Sequence, residues 1–102
     1  MKYCKVVAII SIDDYGLISD RLAHFDLPGV TVSPVQGFGD YVNEFAPNGF
    51  SDNLKIEIYT TEKQAQEVSQ VLVERANAMT EGGGLVAIEP VAMLANVRKL
   101  NT

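Results

Sequence analysis

Gly29-Val-Thr-Val-Ser-Pro-Val-Gln-Gly-Phe-Gly39 is the stretch whose reading decides the fold. Val30 to Val35 is a β-branched, apolar run, and it leads straight into a Gly-Phe-Gly turn. Two glycines around an aromatic let the backbone take φ > 0 and approach something that a Cβ would exclude. A polar loop, Asp40 to Asn53, follows before the next strand begins. A strand that empties into a glycine turn and a loop is a common way to build a ligand site.

Upstream, Tyr3 to Ile12 is apolar on both alternations, with Cys4, Val6, Ala8 and Ile10 against Val7 and Ile9. That pattern predicts a strand buried on both faces. Asp13 or Asp14 is expected to cap a helix carrying Tyr15, Ile18, Leu22 and Phe25 on one face, with Pro28-Gly29 beyond its end. Downstream, Leu54 to Thr60 alternates Lys55, Glu57 and Tyr59 against Leu54, Ile56 and Ile58, a third strand. Thr61-Glu-Lys-Gln64 reads as a capping box, in which Gln64 reaches back to an orphan N–H. The helix behind it places Ala65, Val68, Leu72, Ala76 and Met79 on one stripe. Glu81-Gly-Gly-Gly84 ends that helix, Leu85 to Val91 is a fourth strand, and Ala92 to Thr102 is a tail.

The order βαββαβ predicts an α+β, ferredoxin-like domain over residues 1–102: a four-stranded antiparallel sheet with both helices on one face. The other face would be bare. Another copy of the chain is its expected cover, because apolar burial favours it by about 25 cal/mol per Å2.

Composition narrows the function. At 102 residues and 47% apolar content the chain makes one globular domain. Its apolar runs are too short to cross a bilayer, and no leader pattern is read at its start, so a cytoplasmic place is expected. The single cysteine, Cys4, fits a reducing compartment and a core position. A formal charge of −5 with eight scattered basic residues argues against a nucleic-acid partner. His24 is the only histidine, so neither a histidine metal cluster nor a Ser-His-Asp arrangement can form within one chain. Asp40, Glu44 and Asp52 read as a solvated loop without calcium-loop spacing. No catalytic residue and no metal ligand is assigned. What remains is the pair of glycine turns, Gly37-Phe-Gly39 and Gly82-Gly-Gly84. They would line one crevice suited to an anion such as phosphate, or the second is simply a helix C-cap.

The phrase Gly29-Val-Thr-Val-x-x-Val-x-Gly-Phe-Gly39, the strand Leu54-Lys-Ile-Glu-Ile58 and the glycine turn leading to Ile88-Glu-Pro-Val91 resemble the PII signal-transduction proteins. The resemblance runs from Lys5 to Arg98. It implies a homotrimer that binds adenine nucleotides between subunits and grips a transporter or enzyme with a loop. Here that T-loop would be residues 40–53, the B-loop 80–85 and the C-terminal tail 92–102. The implied nucleotide pocket takes Ile9, Thr31, Gly37, Phe38, Gly39, Glu57, Ile58 and Tyr59, with a backbone edge near Ile58 reading the adenine. Gly82, Gly83, Gly84 and Arg98 would surround the phosphates.

The loop is shorter than the family's, and its modified tyrosine has no counterpart. Asp40, Leu85 and Asn96 stand where the family places basic residues. ADP or AMP is therefore expected to outcompete ATP, with cyclic AMP a further candidate and no obligatory cofactor. Tyr41 replaces a glutamine used for 2-oxoglutarate. These departures resemble PII-like branches outside nitrogen control, above all the one that accompanies inorganic-carbon uptake and carboxysomes. That branch implies bicarbonate as a co-ligand, with Asp40, Tyr41, Arg98 and Lys99 as candidate anion contacts. A metal-responsive regulator of heavy-metal efflux and a nucleotide-independent trimeric adaptor are the competing readings.

Overall fold

Burial along β1 (Tyr3–Ser11) alternates with period two, as a strand with one covered face requires. Cys4, Val6, Ala8 and Ile10 are buried, while Tyr3, Lys5, Val7, Ile9 and Ser11 are half-buried. Within one chain only the face of Cys4, Val6, Ala8 and Ile10 is covered; the half-buried face of Val7 and Ile9 is the one for which a second copy is the expected cover. These positions come from a computed structural model that describes residues 2–37, 51–76 and 84–97.

A 3-10 turn (Ile12–Asp14) follows, then α1 (Tyr15–Leu22), β2 (Gly29–Gly37), β3 (Ser51–Thr61), α2 (Glu62–Ala76) and β4 (Leu85–Val91). All strand pairs are antiparallel and the sheet order is β2-β3-β1-β4. This is the ferredoxin-like order expected from βαββαβ. Ile18 and Leu22 of α1 join Ala65, Val68 and Leu72 of α2 over Cys4, Val6, Ala8, Ile10, Ile56 and Ile58. Each fully buried isoleucine or leucine among them contributes about 1.5–3 kcal/mol through apolar burial.

Several local details differ from the sequence reading. Ser11 caps the 3-10 turn, its hydroxyl accepting from the Asp13 N–H at 3.2 Å, and Asp14 holds the N-cap position of α1 without a side-chain cap hydrogen bond. Asp14 is fully buried. α1 stops at Leu22, and its exit tightens as His24 N–H donates to Arg21 C=O and Phe25 N–H to Leu22 C=O, both at 3.1 Å. Phe25 still reaches the core from that turn. β2 and β3 extend further than their apolar residues suggest. The pairs Val35↔Asn53, Gln36↔Asp52 and Gly37↔Ser51 continue the ladder, so β3 takes residues 51–53 from the stretch read as loop. Backbone pairing, which polar residues join equally well, sets these ends.

The start of α2 carries half of the predicted capping box. The Thr61 hydroxyl accepts from the Gln64 N–H at 3.1 Å. The Gln64 side chain does not reach back to Thr61; its amide donates to Asp26 C=O at 3.0 Å and to the Thr60 hydroxyl at 2.9 Å. Glu62 N–H donates to Lys2 C=O at 3.0 Å. Helix, first strand and the α1–β2 connection are thereby tied at one end of the sheet. Thr61→Ala is expected to cost about 1 kcal/mol, a fall in melting temperature of about 4–8 °C by circular dichroism.

Candidate functional site

Residues directly opposed in an antiparallel ladder point to the same face, so the register defines what the open face carries. One cross-strand row is Ser33, Lys55, Ile9 and Leu85; the next is Thr31, Glu57, Val7 and Ala87; a third is Gly29, Tyr59, Lys5 and Glu89. Among the described residues no helix lies over these rows. Of the expected pocket residues, Ile9, Thr31, Gly37, Glu57 and Tyr59 share this face.

Its centre is charged. Lys5 Nζ lies 3.4 Å from Glu57 Oε2 and 3.5 Å from Glu89 Oε2, and Lys55 Nζ lies 3.9 Å from Glu57 Oε1. The Glu89 charge, joined by the Glu57 carboxylate, holds the Lys5 ammonium above its ordinary 10.5, outweighing desolvation, which acts the other way. A lysine raised in this way adds stability that is in full force below 10.5 and is lost as pH climbs through the raised value. Melting curves of the wild type and Lys5→Gln are therefore expected to differ by a constant gap near neutrality. The gap closes once the pH passes 10.5 and the folded-state value. The sequence reading passed over Lys5 and Glu89; their signal was a charge in phase with Val7 and Ile9, on the face opposite Cys4 and Val6.

Ile58 departs from its expected role. Its side chain is fully buried among the helices, and its backbone pairs with Val6 on one side and Val30 on the other. β3 is an interior strand, so it offers no open backbone edge to an adenine.

Of the two glycine turns, Gly37 and Gly84 fall among the described residues. Gly37 ends β2 and Gly84 directly precedes β4, both at the sheet end where β1 finishes. β2 and β4 are opposite edges with β3 and β1 between them, which separates them by about 14 Å. Gly84 meets a further demand from the fold: a Cβ there would collide with the Ile9 carbonyl oxygen and sit 3.3 Å from Ile10 Cα. The structure therefore brings Ile9 and Gly84 together at the β1–β4 end.

Phe38, Gly39, Asp40, Tyr41, Glu44, Gly82, Gly83, Arg98, Lys99 and Met79 lie outside the described residues. His24 is exposed in the turn after α1, and Cys4 is a buried free thiol. Among the described residues no three His, Cys, Asp or Glu side chains gather to hold a metal ion, and no helix is long and apolar enough to cross a membrane.

Comparison with known proteins gives a consistent picture. A family model described as "Nitrogen regulatory protein P-II" matches residues 3–100. A "Nitrogen regulatory protein P-II homolog" from Oryza sativa subsp. japonica is 30% identical over 105 residues, covering 95% of this chain and 50% of that protein. Another of the same description, from Arabidopsis thaliana, is 30% identical, covering 95% and 54%. The chain thus spans about half the length of the curated relatives it matches. A crystal structure of Arabidopsis thaliana PII bound to citrate is similar with a TM-score of 0.77 and 31% identity, over 95% of this chain and 84% of that one.

Proposed function

The chain belongs to the nitrogen regulatory protein P-II family, and we propose that it is a non-enzymatic regulatory subunit working as a ring of three copies. In this reading, adenine nucleotides bind in the clefts between copies. The observation that carries it is the placement of Gly37 and Gly84 at one sheet end but on opposite edges. A head-to-tail contact that closes into a ring sets the β2 edge of one copy beside the β4 edge of the next. Only then do both turns face one site. Ile9, Thr31, Glu57 and Tyr59 would approach it from the open face, with Phe38, Gly39, Gly82, Gly83 and Arg98 completing it.

ADP or AMP is favoured over ATP. Each charge-assisted hydrogen bond to a phosphate is worth about 1.5–3 kcal/mol, and Asp40, Leu85 and Asn96 supply none where basic residues would. Residues 40–53, with β3 reaching into them from Ser51, act as a short T-loop, 80–85 as the B-loop and 92–102 as the tail. Bicarbonate is proposed as co-ligand near Tyr41, Arg98 and Lys99. The regulated partner would be a cytoplasm-facing transporter or a carboxysome-linked inorganic-carbon process. Titration calorimetry against AMP, ADP, ATP and cyclic AMP, with and without bicarbonate, tests this. Citrate is added as a control because the Arabidopsis structure holds it. The expected result is tighter binding of AMP and ADP than of ATP; no heat with any adenylate overturns the reading.

A further inference from the structure

We propose that Lys5 is a positioning residue for the ligand site, holding the Glu57 carboxylate in place from the middle of the sheet. The inference rests on the nucleotide reading above, in which Glu57 lies on the open face in the row of Thr31, one row from Ile9. Both of its oxygens are held, by different strands. Oε2 faces the Lys5 ammonium of β1 at 3.4 Å, and Oε1 faces the Lys55 ammonium of its own strand at 3.9 Å. Lys5 is fixed in turn by Glu89 of β4 at 3.5 Å, so three strands contribute to one chain of charges.

Chemistry makes this more than a surface ion pair. Two ammonium and two carboxylate groups leave the cluster neutral, so it can sit beneath a ligand without an excess charge. A lone Glu57 would repel the phosphate of a nucleotide and would turn freely about its side-chain torsions. With Lys5 and Lys55 in place, its charge is balanced and its side chain is restrained, with acceptor capacity to spare. That capacity suits a hydroxyl or amino donor, such as those of an adenosine ribose or base. Lys5 acts at the Glu57 carboxylate, which it meets at 3.4 Å. Its own residue pairs with Tyr59 and Glu89, one row removed from the Thr31–Glu57–Val7 row. The raised Lys5 proton affinity agrees with this geometry, since the ammonium stays charged wherever nucleotides are bound.

The test is a double-mutant cycle read by calorimetry with adenosine and AMP as probes, on the assembled protein. Lys5→Met is expected to weaken both ligands by about 2- to 5-fold, a factor in line with a partly exposed ion pair. Lys5→Arg restores affinity. In a Glu57→Gln background Lys5→Met is expected to change nothing, because the group it positions is gone. Additive losses in the cycle, or unchanged affinity in Lys5→Met with the wild type binding normally, overturn the inference alone. If the wild type binds neither adenosine nor AMP, the nucleotide reading fails and the inference falls with it. Melting curves and assembly mass are recorded for every variant. A Lys5→Met protein that fails to assemble moves the same test to Lys55→Met and Glu57→Gln, where additive losses likewise overturn clamping of Glu57.

Discussion

Ile58→Ala is expected to lower stability by about 3–4 kcal/mol and melting temperature by about 15–25 °C. The isoleucine is fully buried in the interior strand β3, packed in the cluster that joins both helices to the sheet. Removing most of its side chain forfeits transfer free energy and leaves a cavity that the paired strands on either side cannot collapse into. Burial is what its side chain supplies to the fold. If Ile58 instead lined a nucleotide pocket, the alanine variant would melt within a few degrees of the wild type and lose only affinity. Circular dichroism melts with and without AMP separate these outcomes.

Gly84→Ala is expected to cost about 3 kcal/mol, a loss of more than about 10 °C. The new methyl group would strike the Ile9 carbonyl, with Ile9 C at 2.9 Å and Ile10 Cα at 3.3 Å. These are backbone atoms of an interior strand, held by Lys55 on one side and Leu85 on the other, so they cannot swing aside as a side chain would. Two other glycines calibrate the result. Gly29→Ala meets only Tyr59 Cδ2 at 3.8 Å and is expected to be nearly neutral. Gly16→Ala, in α1 with nothing within 4 Å, is expected to stabilise by about 0.5–1 kcal/mol through helix propensity. A Gly84→Ala protein that melts like Gly29→Ala would remove the fold's demand for glycine there.

Element types and order were legible because the periods are clean. Ile18 and Leu22 keep helical spacing, Ile56 and Ile58 keep strand spacing, and Thr61 announces the second helix. Less legible were features set by partners distant in sequence. Apolar residues on both alternations of β1 do not say that its chain covers only one face; that follows from where α1 and α2 pack. The ends of β2 and β3 are fixed by backbone pairing among Gln36, Asp52 and Ser51, whose side chains carry no strand signal. Gln64 fits a capping box by spacing, yet Thr60 and Asp26 C=O lie within its reach and take its amide.

The candidate site shows the same division. Gly37 and Gly84 were recognisable as special positions, but that they stand on opposite edges follows only from the sheet order. Ile58 carries the family phrase and nonetheless belongs to the core. Lys5 and Glu89 carry no pairing signal in the sequence, and only the register places them on either side of one ammonium–carboxylate contact.

Native mass spectrometry of the chain with AMP bears most directly on a site made between copies. The account predicts a three-chain species that carries up to three nucleotides, with single chains carrying none. Nucleotide bound to the single chain, or a three-chain species that takes up no nucleotide, would contradict it.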